Sequence, residues 1–364
     1  MLDSLNNGRR VLRAIWAEPG ISRVSIAQSL ELNKSTVTKI VGEMLSDGMV
    51  VEGESGEAGP TGGRKPVGLT LQSRYGCFAG ITVRPDCYEA ALLDFAGNPV
   101  LHMHTPREMV GANLLPALLD ALDMVIAEAP VPVIGAGVGI GGIVNPDQGV
   151  LLESIPMGIS EPLSLRGPLA ERAGCPVYIE NDANTICWGE LMNPARPDLT
   201  DFVCALGEYR FEGHKDEVSV GLGFALAGRV HYGREFSSGE FRSPFWEPGR
   251  AGQFGLADDI VAQAHSNPEA LDQLVSEMAV SLAFLVNTLD LSHVFLEGFF
   301  AENFERNAAT MKESLRQYWP YPGPPGCTVE RASGGEHALS QGAAALAQHD
   351  YYGRFTVSVN GRHE

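Results

Sequence analysis

The sequence predicts an α/β protein, a small N-terminal winged helix-turn-helix joined to a body of two α/β lobes. Three observations predict it. The first 72 residues carry three helical apolar stripes followed by two strand-like runs, and from about residue 74 strands and helices alternate. The charge divides at the same border: residues 1–72 hold eight Lys/Arg and eight Asp/Glu, so the rest, 18 against 37, carries the whole net charge of −19. Phosphate would be repelled by the body, which leaves the N-terminal segment as the candidate for nucleic-acid contact.

In "NGRRVLRAIWAEPG" the apolar residues Val11, Leu12, Ile15 and Trp16 form one helical stripe, stopped by Pro19-Gly20. Ser22 can cap a second helix, "RVSIAQSLE". A tight turn through Leu32-Asn33 leads to "KSTVTKIVGEMLSDG", where Val37, Ile40, Val41, Met44 and Leu45 keep helical spacing and Gly48 is a C-terminal stop. The runs "MVVEGES" and "KPVGLTLQ" around "GEAGPTGG" complete a hairpin. This is the order of a winged helix-turn-helix. The third helix would present Asn33, Lys34, Ser35, Thr36, Thr38 and Lys39 to base edges and phosphates of a major groove. Arg64 and Lys65 on the wing tip suit a minor groove. The bland alternative is a small helical cap with solvated charges, but helix order, stripe spacing and basic wing agree independently.

At 364 residues and 44% hydrophobic composition the chain can bury more than one core. No apolar stretch is long enough to span a bilayer, and "MLDSLNNGRR" lacks the basic-then-apolar order of a signal peptide, so a soluble cytoplasmic protein is expected. Six cysteines lie far apart without a CxxC pair and read as reduced, mostly buried thiols. The nine histidines show no ligand spacing, and His214 in "YRFEGHKDEV" reads as part of a solvated polar insertion.

In the body, "GCFAGITV", "CYEAALLDFAGNPVLHMHT" and "VPVIGAGVGIGGIV" read as strands, with the helical "NLLPALLDALDMVIAEA" before the third. "CPVYIEND", "DFVCALGE" and "VSVGLGFALAGRVHYG" continue the strand character, and two long helices flank a last strand, "HVFLEG". The architecture implied is two α/β lobes on mixed sheets, divided as 73–182 and 183–364, with the C-terminal helix a candidate to complete the first lobe.

The order and spacing of "GVGIGGIVNPDQGVLL", "IENDANTICWGE", "GFALAGRVHYGREFSSGEF" and "SQGAAALAQ" after a winged helix resemble the ROK family of sugar kinases and sugar-responsive repressors, over nearly the whole chain. The resemblance is to the repressor branch. It implies an actin-like, hexokinase-like (ribonuclease H-like) body with a sugar bound between its lobes. The kinase phosphate loop of the family falls on "TVRPDC", placing Thr82 where its Asp belongs and Arg84 and Pro85 where its glycines belong. Pro85 has no N–H to offer a phosphate. The adenosine-side glycine run falls on "EGFF", with Glu297, Phe299 and Phe300. ATP use and a catalytic role for any residue are therefore not expected. The family's zinc ligands fall on Ser243, Gly249, Ala251 and Leu256, so no metal and no cofactor are expected; packing by Phe245 and Trp246 would hold that loop instead.

For the sugar, the resemblance implies contacts from Asn181, Asp182 and Glu240, with Ser243 and Asp258 at two further positions and Pro156 where the family has Asn. Paired donors and acceptors on a fixed frame suit neutral hydroxyls. Read without the family, Asp182 caps the helix "ANTICWGELM", Asn184 pairs with nearby backbone and Glu240 is a surface acid. A kinase Asp at position 182 would take a proton from the sugar, but a base acts only on an electrophile held in line with it. The expected role of Asp182 is binding alone. The function expected is a DNA-binding repressor with a sugar or polyol effector, forming a homodimer or homotetramer on a double-stranded operator. An active kinase with a DNA-binding appendage and a ligand-independent regulator are the alternatives. The altered contacts point away from free glucose and N-acetylglucosamine and towards a polyol, pentose or inositol-like effector.

Overall fold

The computed structural model describes residues 2–55, 67–212 and 215–355. The N-terminal unit contains α1 (Leu2–Ala17), β1 (Ile21–Ser22), α2 (Arg23–Ser29), α3 (Lys34–Ser46), β2 (Val50–Ser55) and β3 (Val67–Leu71). Of the stripes read from the sequence, Val11, Leu12, Ile15, Val37, Ile40, Val41 and Met44 are buried and Trp16 and Leu45 half-buried against them; Ile26 of α2 completes this core. Ser22 caps α2 as expected, its Oγ accepting from the Ser25 N–H at 3.1 Å. The strand β1 is an addition to the expected elements. It is two residues long, too short for a periodic signal, and it pairs with β3 to give the order β1-β3-β2. The wing tip, with Arg64 and Lys65, lies outside the described residues.

The first lobe continues with β4 (Cys77–Val83), β5 (Cys87–Asp94), β6 (Pro99–Pro106), α4 (Leu114–Ala127) and β7 (Val133–Ile140). A small sheet of β8 (Ile143–Asn145), β9 (Val150–Glu153) and β10 (Leu163–Ser164) follows, then α5 (Arg166–Ala173), β11 (Val177–Asn181) and α6 (Asp182–Leu191). The second lobe holds β12 (Phe202–Glu212), β13 (Lys215–Leu226), β14 (Arg229–Val230), α7 (Asp258–Gln263), α8 (Pro268–Leu289), β15 (His293–Gly298), α9 (Phe304–Gln317) and β16 (Thr328–Arg331). The chain closes with α10 (Ala338–Arg354).

The two large sheets, β11-β7-β4-β5-β6 and β14-β13-β12-β15-β16, have the same topology. Each begins with three antiparallel strands and adds two parallel strands to the far side of the first. Two segments read as single strands are split: "CYEAALLDFAGNPVLHMHT" turns at Gly97 into β5 and β6, and the glycine-rich run breaks at Gly141-Gly142 between β7 and β8. The segment read as a solvated insertion instead prolongs the β12–β13 ladder to Glu212 opposite Lys215; His214 lies outside the described residues.

The helix α10 lies on the first sheet, not the second, and closes to backbone contact. A Cβ on Gly80 or Gly137 would come within 1.9 Å of the Ser340 or Ala343 carbonyl oxygen, so only glycine admits the helix there. Its other side meets α6, where a Cβ on Gly342 would lie 1.9 Å from the Thr185 oxygen. At its C-terminal end, Tyr352 packs edge-on against Trp16 of α1, whose Nε1–H donates to the Ala96 carbonyl at 3.1 Å. Among the described residues the six cysteines are free, four of them buried, and no helix is long and apolar enough to cross a membrane.

Candidate effector cleft and DNA-binding face

The parallel strands β7 and β11 end side by side at Ile140 and Asn181, and the chain turns there into Gly141-Gly142 and α6. Carboxyl ends of neighbouring parallel strands leave a crevice for ligands. The second lobe faces it with Leu206 and Glu208 of β12, Val218–Gly221 of β13 and the segment at Glu240–Arg242. These walls border a cavity of about 390 Å³, open to solvent and lined by the polar residues Glu153, Asn181, Asp182, Glu208, Glu240 and Arg242 among others. A neighbouring compartment of about 400 Å³ shares Pro156, Asp182 and Glu208 with it and is bounded by Arg84, Pro85 and Asp86.

Asn181, not Asp182, is the N-cap of α6. Its Oδ1 accepts from the Asn184 N–H at 3.2 Å, and its Nδ2 donates to the Gly142 carbonyl at 3.0 Å. One donor and one lone pair of this amide remain for a ligand. Asp182 is the first helical residue; its Oδ1 accepts from the Ala183 N–H at 2.8 Å. Asn184 does not bond backbone through its amide nitrogen. That nitrogen donates to Glu180, and its Oδ1 is buried without a partner among the described residues.

Glu180, absent from the expected site, anchors the whole turn. It is fully buried and accepts from Tyr232 Oη (2.7 Å), Trp188 Nε1 (3.0 Å), the Asn181 N–H (2.9 Å) and Asn184 Nδ2 (3.2 Å). Burial raises its pKa above the usual carboxylate range, and those four donors oppose the shift. Nothing in the sequence alone separates this structural acid from its neighbour Asp182 two positions on.

Glu240 is exposed at the cleft wall, held by a bridge between its backbone and Gly221. The preceding Gly239 has φ +94°, and a Cβ there would meet the Leu222 oxygen at 1.7 Å. The structure thus brings Asn181, Asp182 and Glu240 to one cavity. It does not bring Ser243 and Asp258 to its lining. Ser243 is buried in the loop, its N–H donating to the Gln253 carbonyl at 2.8 Å and its Oγ accepting from the Phe245 N–H at 3.1 Å. Asp258 starts α7 and accepts from the Ala251 N–H at 3.2 Å. The expected packing by Phe245 is also absent, since Phe245 is 52% exposed, while Trp246 stacks under the Arg242 guanidinium at 4.4 Å.

On the nucleotide side, Arg84 spans the lobes. Its Nε donates to Glu208 at 2.8 Å and its Nη1 to Glu89 at 2.5 Å. Burial alone would lower its pKa; Glu208 and Glu89 more than offset that and keep the guanidinium charged. The ring of Phe299 is buried, stacks on Tyr209 at 4.9 Å, and closes over Gly207, where a Cβ would lie 2.5 Å from it. Burial lifts Glu297 to about 7, opposed by the Gly298 N–H, Arg331 and Arg84. The Arg84–Glu208 pair thus stands on the wall of the neighbouring compartment, and the Phe299 ring closes the end of β12 at Gly207.

In the N-terminal unit, Asn33 precedes α3 without a capping bond from its side chain. Asn33, Lys34, Ser35, Thr38 and Lys39 are exposed, while Thr36 is half-buried. Thr38 Oγ1 donates to the Lys34 carbonyl at 2.8 Å, so this hydroxyl can only accept from a base or solvent. The first turn of α3 has no acidic residue, leaving its positive end open to phosphate.

A model described as "Winged helix-turn-helix DNA-binding" matches residues 6–51, and the ROK family model matches residues 79–241. The xylose repressor of Bacillus subtilis (strain 168) is 24% identical over 343 residues, covering 85% of this chain and 86% of its own. A solved ROK family transcriptional regulator, a homolog of the E. coli MLC protein, superposes with a TM-score of 0.73 at 20% identity, covering 97% of both chains. A ROK glucokinase from Streptomyces griseus, solved with glucose and AMPPNP, superposes at 0.60 and 20% identity over 75% of this chain and all of its own. The fold is that of a ROK body with a winged helix-turn-helix added at its head.

Proposed function

We propose that this chain, a member of the ROK family carrying a winged helix-turn-helix, is a sugar-responsive transcriptional repressor that binds its effector without phosphorylating it. The observation that carries the reading is the contrast within one cleft. Asn181, Asp182 and Glu240 line an open cavity, while the neighbouring compartment is walled by the Arg84–Glu208 ion pair and Pro85 in place of a glycine loop. Hydroxyls can be bound on the open side, and the side chains at Arg84 and Pro85 leave no glycine backbone cradle to hold a phosphoryl donor in line with Asp182. The name of the Bacillus subtilis relative supports a pentose as effector, in keeping with the altered contacts at Pro156 and Ser243.

The division into residues 1–72, 73–182 and 183–364 is retained, with α10 assigned to the first lobe because it packs on that sheet. A homodimer would present two α3 helices to a two-fold related operator, with Asn33, Lys34, Ser35, Thr36, Thr38 and Lys39 on bases and phosphates and Arg64 and Lys65 in the flanking minor groove. The effector acts by preferring one lobe arrangement. A tenfold change in operator affinity requires a difference of about 1.4 kcal/mol between the two arrangements. The test is selection of bound duplexes from a random DNA pool by the full chain, followed by competition with D-xylose, glucose, xylitol and myo-inositol. Enrichment of a palindromic site released by one of them supports the proposal. A pool without sequence enrichment refutes it.

A further inference from the structure

Glu240 reaches the cleft from a segment with little regular structure. Between β14 and α7, the only ladder pairing among the described residues is the single bridge from Glu240 to Gly221. The strand it leans on is also incomplete: β13 pairs with β12 along one edge, but on the other edge β14 covers only Ala225 and Leu226. At Val220 that edge has no strand beside it among the described residues. The side chain of Gln253 fills this place. Its Oε1 accepts from the Val220 N–H at 2.7 Å, and its Nε2 donates to the Val220 carbonyl at 2.8 Å and the Phe241 carbonyl at 2.9 Å. Its own carbonyl accepts from the Ser243 N–H at 2.8 Å.

Both donors of the amide are used, so it joins β13 to the residue after Glu240 as a strand would. On the other side of Glu240, the Gly239 carbonyl accepts from the Leu222 N–H at 3.0 Å. Glu240 therefore hangs between two fixed points, one made by backbone and the other by a single side chain. Gln253 itself lines the cavity.

We infer that Gln253 is a positioning residue, its carboxamide setting the Glu240 carboxylate opposite Asp182 for a hydroxyl-bearing ligand. The inference rests on the reading of this cleft as the effector site. Only a side chain of this length with two N–H donors completes the clamp. Glutamate has the length but, when ionised, turns an oxygen towards two carbonyls; asparagine has the donors but is one methylene short.

The test compares Gln253→Glu and Gln253→Asn with the parent full chain, by hydrogen–deuterium exchange and by titration calorimetry with D-xylose and glucose. At pH 8, Gln253→Glu is expected to raise exchange in residues 237–243 at least tenfold over the parent while 203–207 of β12 stay protected. Loss of two hydrogen bonds predicts sugar affinity lower by about tenfold or more. Burial against two carbonyls raises the pKa of the introduced carboxyl, so at pH 5.5 a larger share is protonated and regains one donor, and each ratio to the parent moves back towards one. Gln253→Asn should loosen the same residues without pH dependence. Unchanged protection of 237–243, or loss extending through β12, overturns the inference. A parent that binds neither sugar counts against the pentose reading of the effector, and the exchange ratios still decide the role of Gln253.

Discussion

Replacing Gly342 with alanine tests the α6–α10 contact. The added methyl would lie 1.9 Å from the Thr185 oxygen and 2.5 Å from its carbonyl carbon, both backbone atoms that cannot rotate away. Ordinary carbon contacts need about 3.5 Å, so the helices must separate by more than an ångström. Overpacking of this kind costs about 1–3 kcal/mol. Alanine also returns about 1 kcal/mol of helix propensity, which blurs the reading of one variant alone. Gly189 supplies the control, because it faces the same contact from α6 and its Cβ would sit 3.5 Å from the Gly342 Cα, an ordinary distance. Gly189→Ala should be neutral or stabilising by up to about 1 kcal/mol, and Gly342→Ala less stable than it by about 1–3 kcal/mol. Urea denaturation of both variants measures the difference. Equal midpoints would refute the claim that these helices touch backbone to backbone.

Two further outcomes follow from the charges. Lys34→Ala and Lys39→Ala should each weaken DNA binding by a similar factor for all sequences and flatten the salt dependence by about 0.9 in log–log slope for each phosphate no longer neutralised, read by anisotropy across a KCl series. An unchanged slope would remove α3 from the interface. Burial holds Glu297 at about 7, above its ordinary value of 4.5. Between those values the folded chain keeps a proton that the unfolded chain has released, so stability falls as pH rises from about 4.5 to 7 and stays lowered above. Glu297→Gln should therefore gain up to about 3 kcal/mol on the parent at pH 8 and little at pH 4.5. A gain independent of pH would assign the effect to packing instead.

The parts legible in the sequence were those set by neighbours in the chain. The stripes through Val11 and Val37 and the cap at Ser22 are local patterns, and the fold realises them. Asn181 and Asp182 stand at a strand-to-helix turn, as their place after an apolar run implies, but which of them caps depends on Asn181 having β backbone angles, which composition does not record. Ser243 and Gln253 lie in a loop whose shape is set by contacts to Val220 and Phe241, and Asp258 opens α7 at the end of that loop. Without periodicity, glutamine at 253 looks like any polar loop residue, and serine at 243 gives no sign that it turns inward. The same holds for Arg84: the resemblance places its side chain where the family has a glycine, and only the second sheet supplies Glu208 as its partner.

The central claim, binding without phosphoryl transfer, is tested most directly by titrating the purified full chain with D-xylose and the other sugars and polyols, with and without Mg-ATP, while following ADP release. The account predicts that one of these ligands binds with the same affinity in both conditions and that no ADP appears above the ATP-alone background. Sugar-dependent ADP release would contradict it, since phosphate would then have to reach Asp182 past Arg84 and Glu208.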